Sequence, residues 1–239
     1  MKKLIYLTMI ACIACMTACT SVYGPSRSAY DLGYTARPVY EGKKQTNIQG
    51  ALQFNSDNGF SQNEVQNGGE ASISIQTIDQ NYGYSIGAFG YISNYRIRPA
   101  RRSLSAFGYG GRFSIYKNKV MNNWQWRPYG LEVGLSFEQG NFQSFREEQP
   151  STAKVSTSTV IPSVGVSSEL VYLPSFLAHS SMGARVVVGS SFYQFNDSDN
   201  SFQPFVMVSP FMTWERYTAY ANLKFDQRFG ASIGASFRF

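Results

Sequence analysis

The sequence predicts an all-β chain, a transmembrane antiparallel up-and-down barrel of about ten strands, within a range of eight to twelve. Three observations predict it. Two-residue alternation runs from about residue 45 to Phe239, the second face is Gly and Ser with occasional ions, and the connections are by turns long and short. Composition agrees: 21 Gly, 15% aromatic and only 15% charged residues suit short strands with tight turns, since a soluble domain carries about 25% charge.

The first element is a leader rather than a strand. Lys2 and Lys3 precede an apolar run from Leu4 to about Ala18, shorter than the roughly 20 residues a spanning helix needs. Residues 1–18 therefore read as a signal peptide. Met16-Thr17-Ala18-Cys19 resembles the lipobox of bacterial lipoproteins, although its first position is most often Leu. The resemblance implies that Cys19 is acylated, palmitate included, and becomes the first residue. Met9-Ile10-Ala11-Cys12 is a rival box that would leave apolar IACMTAC on the mature end, and ordinary cleavage near Ala18 is the other alternative. By resemblance to the lipoprotein sorting rule, Thr20 after the cysteine points to the outer membrane. Cys12 and Cys15 leave with the leader, so no disulfide framework remains despite an exported address. The formal charge of +6 falls to +4 without Lys2 and Lys3, too mild to imply nucleic acid as a partner.

Residues 19–44 show no sustained period and contain Pro25 and Pro38, which predicts an extended tether. Tyr23, Tyr30, Tyr34 and Tyr40 are more aromatic than a passive linker needs. They suit docking on a partner or on the protein itself, and the tether could also enter a barrel.

Residues 45–239 alternate as strands do. One face carries Ile48, Leu52 and Phe54, then Ala71, Ile73 and Ile75, then Tyr84, Ile86 and Ala88. The pattern continues through 107–115, 129–137, 160–166, 182–188, 203–213, 216–226 and 228–239, with no amphipathic helix among them. Pro162, Pro204 and Pro210 fall inside these runs and predict local irregularities, because proline cannot donate to a ladder. The opposite face holds Gly and Ser with Arg112, Glu132, Glu138, Arg185, Lys224 and Arg238, which are the expected lumen charges. Small residues suit a narrow interior, and opposite charges can pair across it. A soluble sandwich would normally fill such a face with Lys, Glu and Thr. Aromatics end several apolar faces (Phe54, Tyr84, Phe137, Phe192, Phe225, Phe239), where membrane girdles would sit. Stretches 55–69, 94–103, 140–155 and 196–202 read as mostly long polar loops, against short Asp79-Gln80-Asn81 and Trp214-Glu215, with a longer 169–181 on the short side and a brief 226–228 on the long side as exceptions. With an even strand count both termini lie on the short-turn, periplasmic side, with the Cys19 lipid in the inner leaflet.

Ala231, Ile233, Ala235, Phe237 and Phe239 form an apolar every-other-residue face ending in Phe. This resembles the C-terminal signal of bacterial outer-membrane β-barrels. It implies that Phe239, Phe237 and Ile233 are read by the barrel-assembly machinery, since an open last strand can add to a sheet edge. The resemblance covers about 45–239 and carries no family function.

Catalytic motifs are poorly supported. Gly230-Ala231-Ser232-Ile233-Gly234 matches the G-x-S-x-G nucleophile elbow, but that motif needs a strand–turn–helix and a later acid and His, and neither follows Gly234. His179 is the single histidine and reads as a turn residue. Ser114 to Lys117 matches S-x-x-K on a strand without companion motifs, and Asp197-Ser198-Asp199-Asn200 lacks the Gly and distal Glu of a calcium loop. No cluster has zinc spacing, so neither metal nor cofactor is expected. Arg96, Arg98, Arg101 and Arg102 form the densest charge cluster. Their guanidinium forks suit lipopolysaccharide phosphates if the loop is external, or merely a solvated loop otherwise.

The expectation is a non-enzymatic outer-membrane lipoprotein with a structural or accessory role beside another outer-membrane protein. Its partners would be outer-membrane lipids and, during insertion, the assembly machinery. A small diffusion channel is the first alternative. A lipid-tethered soluble β-sandwich or lipocalin-like binder is the second.

Overall fold

The structure is a computed structural model that describes residues 22–26, 32–58, 64–97, 102–149, 154–176, 179–196, 202–226 and 229–239. Ten strands form the wall: β2 Gln45–Asn58, β3 Glu64–Ile78, β4 Tyr82–Ile97, β5 Arg102–Lys117, β7 Trp124–Gln139, β9 Val160–Tyr172, β10 Ser180–Phe192, β11 Phe202–Trp214, β12 Tyr217–Phe225 and β13 Phe229–Arg238. Each pairs antiparallel with the next, and β13 pairs back onto β2 from Gly230↔Asp57 to Arg238↔Gln49. The ring is closed, so no edge strand is left to aggregate. Short β6 (Lys119–Met121) prolongs one hairpin against β7, and β1 (Val22–Tyr23) pairs parallel with β8 (Lys154–Val155).

The alternation places apolar side chains outside. Ile92 is 69% exposed, Phe54 67% and Leu52 61%, and Ile73 and Ile75 are exposed beside them. A soluble protein seldom tolerates so large a contiguous apolar surface, whereas lipid does. The inner face holds the polar residues: Gln49, Gln53, Gln66, Gln76, Ser114, Ser136 and Asn222 are all buried. Polar inside and apolar outside is the arrangement of a barrel with lipid as its solvent. A sandwich of two packed sheets is excluded by the single closed ring.

Three sequence expectations are corrected. First, most of 55–69 and 94–103 is strand, because β2 runs to Asn58, β3 starts at Glu64, β4 runs to Ile97 and β5 starts at Arg102. β2 to β5 and β7 have 14 to 16 residues, against the roughly 9–11 needed to cross. The outward Ser56, Asn67, Asn94 and Arg96 are exposed beyond the apolar band, so the wall continues past lipid and those polar residues belong to it. Second, stretch 140–155 contains a helix, α1 (Asn141–Glu147), which buries Phe142 and Arg146. Seven residues are too few to display a helical period in sequence. Third, the register continues unbroken through Pro162, Pro204 and Pro210. At Pro210 the expected irregularity shows only on the β12 side, where the pairing passes from Val208↔Leu223 to Phe211↔Tyr220, while the register shift lies between Arg127 and Gly130, around Pro128.

The short turns, including 79–81, 122–123 and 215–216, share one end of the barrel, and the connections that contain α1 and β8 lie at the other.

Candidate functional site: the occupied lumen

The described residues 22–26 and 32–40 do not hang from the barrel. Tracing back from Gln45 at the short-turn end, the chain enters the lumen. Tyr40 is held by Gln125, whose Oε1 accepts from the Tyr40 N–H at 3.0 Å and whose amide donates to its carbonyl at 2.7 Å. Arg127 Nη2 donates to the Pro38 carbonyl at 2.6 Å. Arg37 is buried between two carboxylates, pairing with Glu132 and, at 3.1 Å, with Glu169. Glu169 is shared with Arg127, and Glu132 lies 3.6 Å from Arg185. Arg185 in turn donates to the Gly33 carbonyl at 2.6 Å.

Mid-lumen contacts are apolar. Tyr34 stacks on Phe211 and leans on Tyr220, and Leu32 packs with Val187, Phe205 and Met207. Gly134 and Gly165 make room for Leu32, since a Cβ at either would stand 3.0 Å from a Leu32 methyl. Gly33 has φ +58°, and a Cβ there would come within 2.6 Å of Arg112 Nη1. Glycine meets both without strain and without displacing the Arg112 guanidinium.

Farther along, Ser26 donates its N–H to Glu138 Oε2 at 2.6 Å and accepts from Gln66 at 2.9 Å. Glu138 also pairs with Arg146 of α1. Phe142 of α1 stacks on Tyr95, and Phe145 meets Tyr23 edge-on. The Tyr23 carbonyl accepts from Ser156, and Val155 bonds to Asn196 from the next connection. Residues 22–26 therefore sit at the end opposite Gln45. The segment traverses the barrel.

This is a plugged ten-stranded β-barrel with a polar interior and an apolar outer wall. No protein-family model and no curated protein sequence matches the chain. Solved structures similar to the barrel include the β domain of the Bordetella autotransporter BrkA (10% identity, TM-score 0.48, 82% of this chain and 100% of that one). An outer-membrane channel from Pseudomonas putida F1 (10%, 0.41, 86% and 98%) and the transport unit of the autotransporter AIDA-I from Escherichia coli (7%, 0.38, 88% and 95%) are similar too. These are likenesses of architecture.

The expected lumen charges are distributed unevenly. Glu132, Glu138, Arg185 and Lys224 are buried inside, the Lys224 ammonium 4.4 Å from the centre of the Phe205 ring. Arg112 forks onto Glu70 at 2.5 and 2.7 Å. Arg238 instead lies at the short-turn rim, donating to the Glu215 carbonyl at 3.0 Å, because β13 ends there. Among the described residues Arg37, Asp57, Glu70, Arg127, Arg146 and Glu169 are buried charges as well, beyond those expected from the sequence. Glu70 and Glu169 share the parity of inward Ser74 and Ser167 and were legible in that way. Arg127 precedes the irregularity that flips parity, and Arg37 and Arg146 lie outside the wall strands.

Phe239 and Ile233 are exposed on the outer face, and Phe237 packs edge-on against Phe239. Ser232 points inward and accepts from Asn222 at 2.8 Å. Ser114 is buried while Lys117 is exposed on the other face, so the S-x-x-K pair never meets. His179 sits in a turn at φ +58°, its carbonyl bonded by Glu215. Among the described residues no group of His, Cys, Asp and Glu could hold a metal. Arg96 is exposed on the outer wall. Arg102 opens β5, while Arg98, Arg101, Cys19 and Asp197 to Asn200 lie outside the described residues. A cavity of about 450 Å³ opens at the short-turn end, reaching in to Ala36 and Arg37 and bordered by Asn47, Gln76, His179 and Arg238.

Proposed function

We propose that the protein is a non-enzymatic, non-conducting outer-membrane lipoprotein acting as a structural or accessory subunit beside another outer-membrane component. The observation that carries this reading is Arg37, a cation from outside the wall that is buried between Glu132 and Glu169 in the lumen. A permeation path would need those carboxylates to face water. Withdrawing one partner of such a cluster costs about 3–5 kcal/mol, so thermal fluctuation alone rarely clears the bore. With the interior taken by the chain's own segment, the rims and the lipid-facing wall remain for partners.

Planar-bilayer recording tests it. Full-length protein should insert without steady conductance, whereas deletion of Gly24–Tyr40 should open discrete channels. Steady conductance from the intact chain would sink the reading and favour the diffusion channel, whose support is the cavity at the short-turn mouth.

A further inference from the structure

We infer that the barrel delivers its own N-terminus to the long-connection face, so that a lipid on Cys19 anchors in the outer leaflet, not the inner one. This rests on the lipoprotein reading for its lipid part only; the threading rests on the lumen contacts. The sequence places both chain ends on one side, because an even number of strands returns the sheet to its starting side. That holds for the sheet, whose two ends, Gln45 and Arg238, lie at the short-turn end. It fails for the segment ahead of the sheet, which crosses the lumen before reaching Ser26 and Tyr23.

Reach decides the leaflet. Only Thr20 and Ser21 lie between Cys19 and Val22, and the three residue steps span at most about 11 Å. The hydrocarbon core is about 30 Å thick. Outer-membrane barrels keep short turns in the periplasm and long loops outside, so the periplasmic leaflet lies out of range of Cys19. Tyr23 is tied at the far end by its pairing with Val155, by Ser156 and by Phe145, so the anchor point is held by β8 and α1 and is not a loose end.

The seam adds a constraint on assembly. β2 closes onto β13, and β2 follows directly on the threaded segment. Pulling acyl chains through a finished polar lumen would take every methylene out of an apolar environment. The wall therefore closes around a segment already in place.

The test compares three epitope insertions in otherwise intact chains: between Thr20 and Ser21, in the β2–β3 connection, and in the Glu215–Arg216 turn. Antibody binding to intact cells is read against permeabilised cells. The Thr20 tag should report with the β2–β3 tag and opposite to the 215–216 tag. Reporting with 215–216 overturns the threading. Should an insertion block assembly, the double variant Tyr23→Cys and Val155→Cys gives a second readout. A disulfide formed in the folded, membrane-inserted protein supports threading, and its absence under oxidation counts against it. Mass spectrometry of the N-terminal peptide decides the lipid part: acyl groups on Cys19 support the outer-leaflet anchor, and an unmodified Cys19 overturns it. Conductance, which tests the accessory reading, is independent of all three readouts.

Discussion

Ile73 and Ser74 are neighbours in β3 and meet different surroundings. Ile73 points out, more than half exposed, and touches whatever solvent the membrane supplies. Ser74 points in and is buried, with its hydroxyl accepting from Gln76 at 3.1 Å. The outer face needs only to be apolar and of the right height, because lipid conforms to it. The inner face has fixed partners: a carboxylate for each guanidinium, a glycine beneath Leu32, an amide for the backbone of Tyr40. One face is generic and the other is specific. Substitutions should divide accordingly.

The largest effect is expected where the specific face loses a charge partner. Arg37→Ala leaves Glu132 and Glu169 buried with one fewer cation, and should destabilise the folded barrel by about 3–5 kcal/mol. Urea titration in detergent or vesicles measures it, and a loss below about 1 kcal/mol would show that the plug is only loosely seated. Next comes the generic face when its one rule is broken. Ile73→Arg, near mid-height on the lipid side, should cost about 2–4 kcal/mol in bilayers. An equal cost in water-exposed detergent-free aggregates is not the comparison; the measurement is folding into vesicles of defined thickness.

Gly33→Ala should cost about 1–3 kcal/mol, from the positive φ and the approach of Arg112. The same substitution at Gly42, also at positive φ but with nothing within 4 Å of its Cβ, separates backbone strain from crowding in the lumen. Smallest of all should be Ile73→Leu and Arg96→Ala, each within about 0.5 kcal/mol. A large change from Ile73→Leu would erase the distinction between the faces, and would point to a protein partner packed on that wall.

Much of this was legible in advance because strand parity is a local rule. Alternation at Ile73, Ile75 and Ile86 named the outer wall, and Gly and Ser opposite named the inner one. Parity also carried Glu70 and Glu169, although they stood among many polar residues without distinction. It could not carry Arg127, because the shift at Pro128 exchanges the faces between Arg127 and Gly130. Nor could it find α1, whose Phe142 and Arg146 matter only through Tyr95 and Glu138. The GASIG stretch shows both sides of the rule: parity turns Ser232 inward beside Asn222, and the apparent nucleophile is one member of a polar lining.

By itself, then, the sequence determined an all-β barrel of about ten strands, which face of each strand is apolar, and the absence of an elbow around Ser232. These follow from a period of two and from residues adjacent in the chain. Only the tertiary structure decided that residues 32–40 fill the lumen, that Arg37 binds Glu132 and Glu169 across 95 and 132 positions, and that Val22 and Phe239 end on opposite sides. Those contacts have no period, because an unpaired segment follows the shape and charge of the cavity around it, and that cavity exists only once β2 has met β13.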